Sequence, residues 1–236
     1  MLELRYIIYF GAFLLLTTPK TEPVLERYEE RIIQIDNDPD SSILSIIEPY
    51  KEGIDSIMNE TLCYSDITMG KGNPESLLGN FVTDLCLEIT KEKADICIMN
   101  TGGLRAVLPE GIITRGKIYE LMPFDNELVI LEINKQEFRE LLVYIKERNG
   151  EPFSGMNITV LDNDSINIEF QKNEVSKQTI IRVLTSDYLA NGGDKMKFFI
   201  GKKQYPQGIK VRDAIINYCA SKDTITSKLD NRFSYE

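Results

Sequence analysis

ADICIMNTGGLR, residues 94–105, is the stretch that decides the fold. Its first six residues are short, apolar and rich in β-formers, so they read as a buried strand. Asn100-Thr101-Gly102-Gly103-Leu104-Arg105 then breaks that strand with a glycine turn ending on a charge. Upstream, Leu77, Leu78, Phe81, Val82, Leu85, Cys86 and Ile89 recur at helical spacing behind Pro74-Glu75-Ser76. Further back, Ile43, Ile46, Ile47, Tyr50, Ile54, Ile57 and Met58 predict an amphipathic helix, capped by Ser41 or Ser42 and bent at Pro49. Residues 61–68 read as a strand between the two helices.

Downstream, residues 111–114 and 127–133 read as strands. Asn134 with Glu137 forms a capping box for a helix lined by Phe138, Leu141, Leu142 and Ile145, which Gly150 closes as a left-handed cap. Residues 157–185 are mostly β, with a turn at 162–164. A last helix at 211–220 buries Val211, Ala214, Ile215 and Tyr218. Strands and helices interleave without a strict βαβ rhythm and without repeats. The reading is a single α+β domain with a mixed β-sheet flanked by helices.

Composition narrows the function. The 236 residues are 42% hydrophobic and 27% charged, as in an ordinary globular protein. Lys and Arg number 27 against 37 Asp and Glu, a formal charge of −10, and such a surface repels nucleic acid and other polyanions at long range. There is no histidine. That excludes a Ser-His-Asp triad, a Cys-His dyad and every metal site built on imidazole. The cysteines, Cys63, Cys86, Cys97 and Cys219, form no CxxC pair, and Cys86 and Cys97 sit in apolar patterns as small core residues. Their spacing demands no disulfide.

Residues 6–16 are apolar apart from Gly11 and follow Arg5. At about 11 residues the run is too short for a transmembrane span, which needs about 20. It fits the apolar core of a secretory signal peptide, although Glu3 dilutes the basic start and Pro19-Lys20 stands where small residues belong. The expected organisation is a leader over 1–20, an acidic segment with the first helix over 21–60, and the folded domain over 61–236. The expected location is exported, periplasmic or in the cell envelope. The acidic run 36–40 lacks the regular spacing of a calcium loop and reads as solvated surface.

Four segments pair glycine or proline with polar and aromatic residues: PESLLGN (74–80), NTGGLR (100–105), PFDN (123–126) and DYLANGGD (187–194). In that order and spacing they resemble the C-terminal domain of the 5'-nucleotidase and UDP-sugar hydrolase family, over about residues 61–220. The resemblance implies a substrate-recognition domain that works beside a metallophosphoesterase domain carrying two metals on Asp, Asn and His ligands. By that likeness Phe124 and Tyr188 clamp the nucleobase, Tyr188 standing where the family usually has Phe. Asp194 holds the ribose hydroxyls, Asn100 and Asn126 contact the nucleoside, and the Ser154-Gly155 turn brings backbone to the base edge. Arg105 takes the phosphate, a role suited to a planar guanidinium that can make two parallel hydrogen bonds. A further family arginine, ahead of the pair matching Gly79-Asn80, is replaced by Pro74.

The resemblance therefore implies a nucleotide or nucleoside ligand, no cofactor and no catalytic residue in this chain, and divalent metals only in a separate metallophosphoesterase partner. With that partner the chain takes part in phosphoester hydrolysis in nucleotide catabolism. The alternative is a stand-alone exported nucleoside- or nucleotide-binding module with no hydrolytic role.

Overall fold

The computed structural model describes residues 40–90, 93–172 and 174–236. The leader expected over 1–20 and most of the acidic segment lie outside the described residues. The chain divides into a first unit that ends at Leu44 and a compact unit over Ser45–Glu236. Helix α1 (Ser41–Met58) forms as its periodicity predicts, with Pro49 inside it, but Ser41 and Ser42 are not its cap: both lie in its first turn, and Asp40 ahead of them accepts from Ser42 N at 2.8 Å. Its apolar stripe, Ile43, Ile46, Ile47, Tyr50, Ile54 and Ile57, is exposed.

The elements that follow are β1 (Thr61–Ser65), α2 (Leu77–Ile89), β2 (Ile96–Ile98), β3 (Gly111–Thr114), α3 (Arg115–Leu121), β4 (Glu127–Asn134) and α4 (Lys135–Glu147). After them come β5 (Phe153–Ser154), β6 (Met156–Val160), β7 (Ile166–Phe170), β8 (Ile180–Ser186), α5 (Asp187–Ala190), β9 (Gln204–Lys210), α6 (Val211–Ala220), β10 (Thr224–Ile225) and β11 (Phe233–Tyr235). The helices start where side-chain oxygens can take orphan backbone N–H groups. Ser76 accepts from Gly79 N ahead of α2, Thr114 from Lys117 N ahead of α3, and Ser186 from Leu189 N ahead of α5. Asn134 and Glu137 make the full capping box of α4.

A five-stranded mixed sheet in the order β5-β2-β8-β4-β9 forms the centre. Strands β2 and β8 run parallel, while β4 is antiparallel to both β8 and β9. Both faces of this sheet are covered, and period-two alternation shows it. Cys97, Leu128, Ile130 and Leu184 enter one core with residues of α2, α3 and α6. Ile96, Ile98, Val129, Leu131, Ile133 and Val183 enter the other with Phe138, Leu141, Leu142 and Ile145 of α4.

Two three-stranded sheets, β10-β1-β3 and β11-β6-β7, flank it. Each is completed late in the chain, β10 pairing parallel with β1 and β11 parallel with β6. The first strand is shorter than residues 61–68: it ends at Ser65, and Met69 forms a separate bridge with Leu108. All four cysteines are free and buried. No helix among the described residues is long and apolar enough to cross a membrane.

Candidate functional site

The topology brings three loops to one end of the central sheet. Parallel β2 and β8 both end there, and antiparallel β4 begins there, with Leu128 paired to Ser186. The NTGGLR turn leaves β2, the PFDN loop enters β4, and DYLANGGD leaves β8 as the short helix α5. Asn100, Gly102, Gly103, Arg105, Phe124, Asn126, Tyr188 and Asp194 line the pocket between them, a cavity of about 390 Å³.

Six of the residues singled out in the sequence thus converge: Asn100, Arg105, Phe124, Asn126, Tyr188 and Asp194. Gly155 does not. Its φ is 90°, and a side chain there would meet Asp95 O at 2.5 Å, so the residue is spent on close packing of the 154–155 turn against the strand β2 segment. Ser154 beside it donates to Thr83 O and faces the buried interior. Pro74 also stays off the pocket lining and packs on the Gly150 backbone.

The aromatic pair is presented, not buried. Phe124 and Tyr188 keep 40% and 48% of their surface exposed. The loop beneath Phe124 is held by Arg212, which donates to the carbonyls of Met122 and Phe124 at 3.4 and 3.3 Å, pairs with Asp125, and lies 4.3 Å over the Tyr119 ring. Hydrogen bonds from the Arg212 and Lys210 side chains to its oxygens hold the Asp125 carboxyl below its usual range. Asp187 joins the two aromatic loops by accepting from Glu127 N at 3.2 Å and Tyr188 N at 2.7 Å. Gly193 is required because a side chain there would strike the Tyr188 ring at 2.6 Å.

Asp194 sits at φ 51°, left-handed, and is pinned from every side. Its N–H donates to the Tyr188 hydroxyl at 3.2 Å, and its carbonyl accepts from the Tyr144 hydroxyl at 2.9 Å. Its carboxylate accepts from Asn100 Nδ2 at 2.9 Å and Arg148 Nη2 at 3.3 Å. Burial, with the charges of Glu151 and Asp194, pushes the Tyr144 phenol well up. Burial opposes the Arg148 charge, but its hydrogen bond to Glu151 and the surrounding carboxylates outweigh that and raise its pKa. Arg105, by contrast, has an exposed side chain whose one hydrogen bond among the described residues is a long one, 3.4 Å, to Gly102 O, while its backbone N–H donates to Leu121 O at 2.8 Å.

Sequence reasoning assigned nothing to Arg148, Glu151, Tyr144, Arg212 or Asp187. Asp187 lies inside a quoted motif, but no spacing tells an anchoring carboxylate from a ligand-binding one. The other four lie in helices or near their ends, where charged and amphipathic side chains read as ordinary surface. Among the described residues no three His, Cys, Asp or Glu side chains gather to hold a metal ion. With no histidine in the chain, its own residues do not fit the two-metal centre that the resemblance assigns to a companion domain.

Known proteins share this fold. The family described as "5'-nucleotidase, C-terminal domain" matches residues 58–200. The trifunctional nucleotide phosphoesterase protein YfkN of Bacillus subtilis (strain 168) is 27% identical over 176 residues, which are 65% of this chain and 12% of that protein. An apyrase from Tabanus yao is 25% identical over 240 residues, covering 86% of this chain and 43% of its own length. The crystal structure of a 5'-nucleotidase precursor from Thermus thermophilus superposes with a TM-score of 0.70 at 22% identity, over 83% of this chain and 43% of that one. The chain thus spans less than half the length of each of these relatives.

Proposed function

We propose, from the premise that this chain belongs to the 5'-nucleotidase C-terminal domain family, that its loop-lined pocket recognises a nucleotide and presents it for phosphoester hydrolysis. The observation that carries the reading is the convergence of Phe124, Tyr188, Asp194, Asn100, Asn126 and Arg105 on one cavity from three distant loops. Its volume lies in the range of small-molecule sites, about 300–1,000 Å³. Phe124 and Tyr188 take the two faces of the base, since every base offers a flat π surface. Asp194, with Asn100 and Asn126, takes the ribose and the polar edge of the nucleoside. Arg105, free of any carboxylate partner among the described residues, takes the phosphate.

Hydrolysis would fall to a metallophosphoesterase supplied by a separate protein, which would hold the divalent metals and supply the activated water. This chain contributes position: it fixes base, sugar and phosphate relative to one another before the chemistry. We place the pair outside the cytoplasm, on the signal-like apolar run at residues 6–16.

The test is titration calorimetry with a nucleoside and its 5'-monophosphate at fixed ionic strength, because salt screens the phosphate contact. Phe124→Ala is expected to weaken both ligands by about 1–3 kcal/mol. Arg105→Ala is expected to weaken only the monophosphate, by about 1.5–3 kcal/mol, the range for hydrogen bonds to charged groups. Equal losses for both ligands in Arg105→Ala would reassign the guanidinium to loop support. Binding that never raises a phosphoesterase's turnover would make the chain a stand-alone binding module.

A further inference from the structure

Behind the pocket, Asn100, Thr101, Glu151, Arg148 and Asp194 form a closed ring of polar contacts. One Glu151 oxygen, Oε2, accepts from Thr101 N at 2.7 Å and from Thr101 Oγ1 at 2.9 Å. The other, Oε1, pairs with Arg148 Nε. Arg148 Nη2 reaches Asp194 Oδ1 at 3.3 Å, and Asn100 Nδ2 reaches Asp194 Oδ2 at 2.9 Å. Since Asn100 precedes Thr101 in the chain, the circuit closes.

We infer that Glu151 and Arg148 are positioning residues that hold Asp194 ready for a sugar bearing both a 2'- and a 3'-hydroxyl, so the pocket takes ribonucleosides in preference to 2'-deoxyribonucleosides. The inference rests on the nucleoside-recognition reading above. Neither residue lines the pocket, so each acts through Asp194 and the Thr101 turn. Only 2% of the Glu151 side chain is exposed, and a carboxylate so buried must be met by donors and a counter-charge. The ring supplies both. A planar guanidinium suits the link, because one fork can address two carboxylates at a fixed angle.

The consequence is geometric. A carboxylate has about four lone-pair sites, and here one on each oxygen is taken by a protein donor. Both backbone groups of Asp194 are bound as well, so the side chain has little freedom to re-aim. Each oxygen of this pocket-lining residue keeps acceptor capacity beyond its one protein donor, and the two sit at the spacing of one carboxylate. Adjacent hydroxyls on one sugar match that pair. A sugar lacking the 2'-hydroxyl answers only one of them.

The experiment is calorimetric titration of the 236-residue chain with the four ribonucleosides and their 2'-deoxy counterparts, with melting measured in parallel. Wild type is expected to favour the ribo form by about tenfold to a hundredfold, the loss of one hydrogen bond to a charged acceptor. Glu151→Gln keeps the side-chain shape but gives up the charge that anchors Arg148. Arg148→Lys keeps a cation against Glu151 but loses the fork. In both the ribo-to-deoxy ratio is expected to fall toward one. Because loss of stability alone would leave that ratio unchanged, the ratio is the readout. If Glu151→Gln does not fold, Arg148→Lys carries the test, since it leaves the buried carboxylate partnered.

A wild-type ratio near one overturns the inference, and so does a ratio that survives in a folded Arg148→Lys chain. A wild type that binds neither sugar overturns the recognition reading and this inference with it.

Discussion

Tyr188 does two things with one side chain. Its ring is half exposed at the pocket, while its hydroxyl accepts the Asp194 N–H at 3.2 Å. Phenylalanine in that place would stack equally well but leave the amide unanswered. Tyr188→Phe is therefore expected to keep base stacking and to lower nucleoside affinity by about 0.5–1.5 kcal/mol, the net worth of one neutral hydrogen bond. Calorimetry with a single nucleoside reads it. A loss as large as that of Phe124→Ala would show that the hydroxyl meets the ligand directly. The aromatic character of this position is legible in the DYLANGGD motif; the hydroxyl's partner, six residues on through a left-handed turn, is not.

Helix α4 shows what one element's start contributes. Asn134 accepts from Gln136 N and Glu137 N, and Glu137 returns a bond to Asn134 N at 2.9 Å. Glu137 also pairs with Lys202 from a distant loop. Partial burial pushes its carboxyl up, but the Lys202 ammonium and the Asn134 amide pull it down further, so it settles below the ordinary 4.5. A depressed carboxylate stabilises the fold fully above about pH 4.5 and stops doing so as pH falls through the folded value. Asn134→Ala is expected to cost about 1 kcal/mol at neutral pH. Glu137→Gln is expected to cost stability at neutral pH and progressively nothing in acid, read as urea midpoints across the acid range. A Glu137→Gln deficit that persists undiminished in acid would contradict the pairing. The capping box was plain in the sequence because its partners are three residues apart; the Lys202 partner, 65 residues away, was not.

At the largest scale, the unit over Ser45–Glu236 is a two-faced central sheet whose pocket end collects loops and whose flanking sheets are completed by the last strands. Its chemistry is bounded at the same scale: no histidine in the chain, and no gathered metal ligands among the described residues. The 236-residue chain with added Mn²⁺, Zn²⁺ or Co²⁺ is expected to release no phosphate from nucleoside monophosphates. Released phosphate that co-purifies with the chain and falls in Arg105→Ala would contradict this, whereas a contaminating phosphatase would ignore that substitution. Fold class and most elements were readable because hydrophobic period and caps act within a few residues. The exposure of the α1 stripe was not, since a periodic apolar face specifies a helix without specifying what covers it.

Local sequence was enough to set most element types, the capping box of α4, the absence of imidazole chemistry and the loops that carry Asn100, Arg105, Phe124, Asn126, Tyr188 and Asp194. It took the assembled fold to bring these six to one cavity, to leave Gly155 out of it, and to close a ring of Arg148 and Glu151 behind Asp194. The reason is range. Propensity, capping and periodicity are set by neighbours in the chain, whereas the contacts of the ring join residues as far as 94 positions apart. Those partners meet because two parallel strands end, and one antiparallel strand begins, at the same end of the sheet.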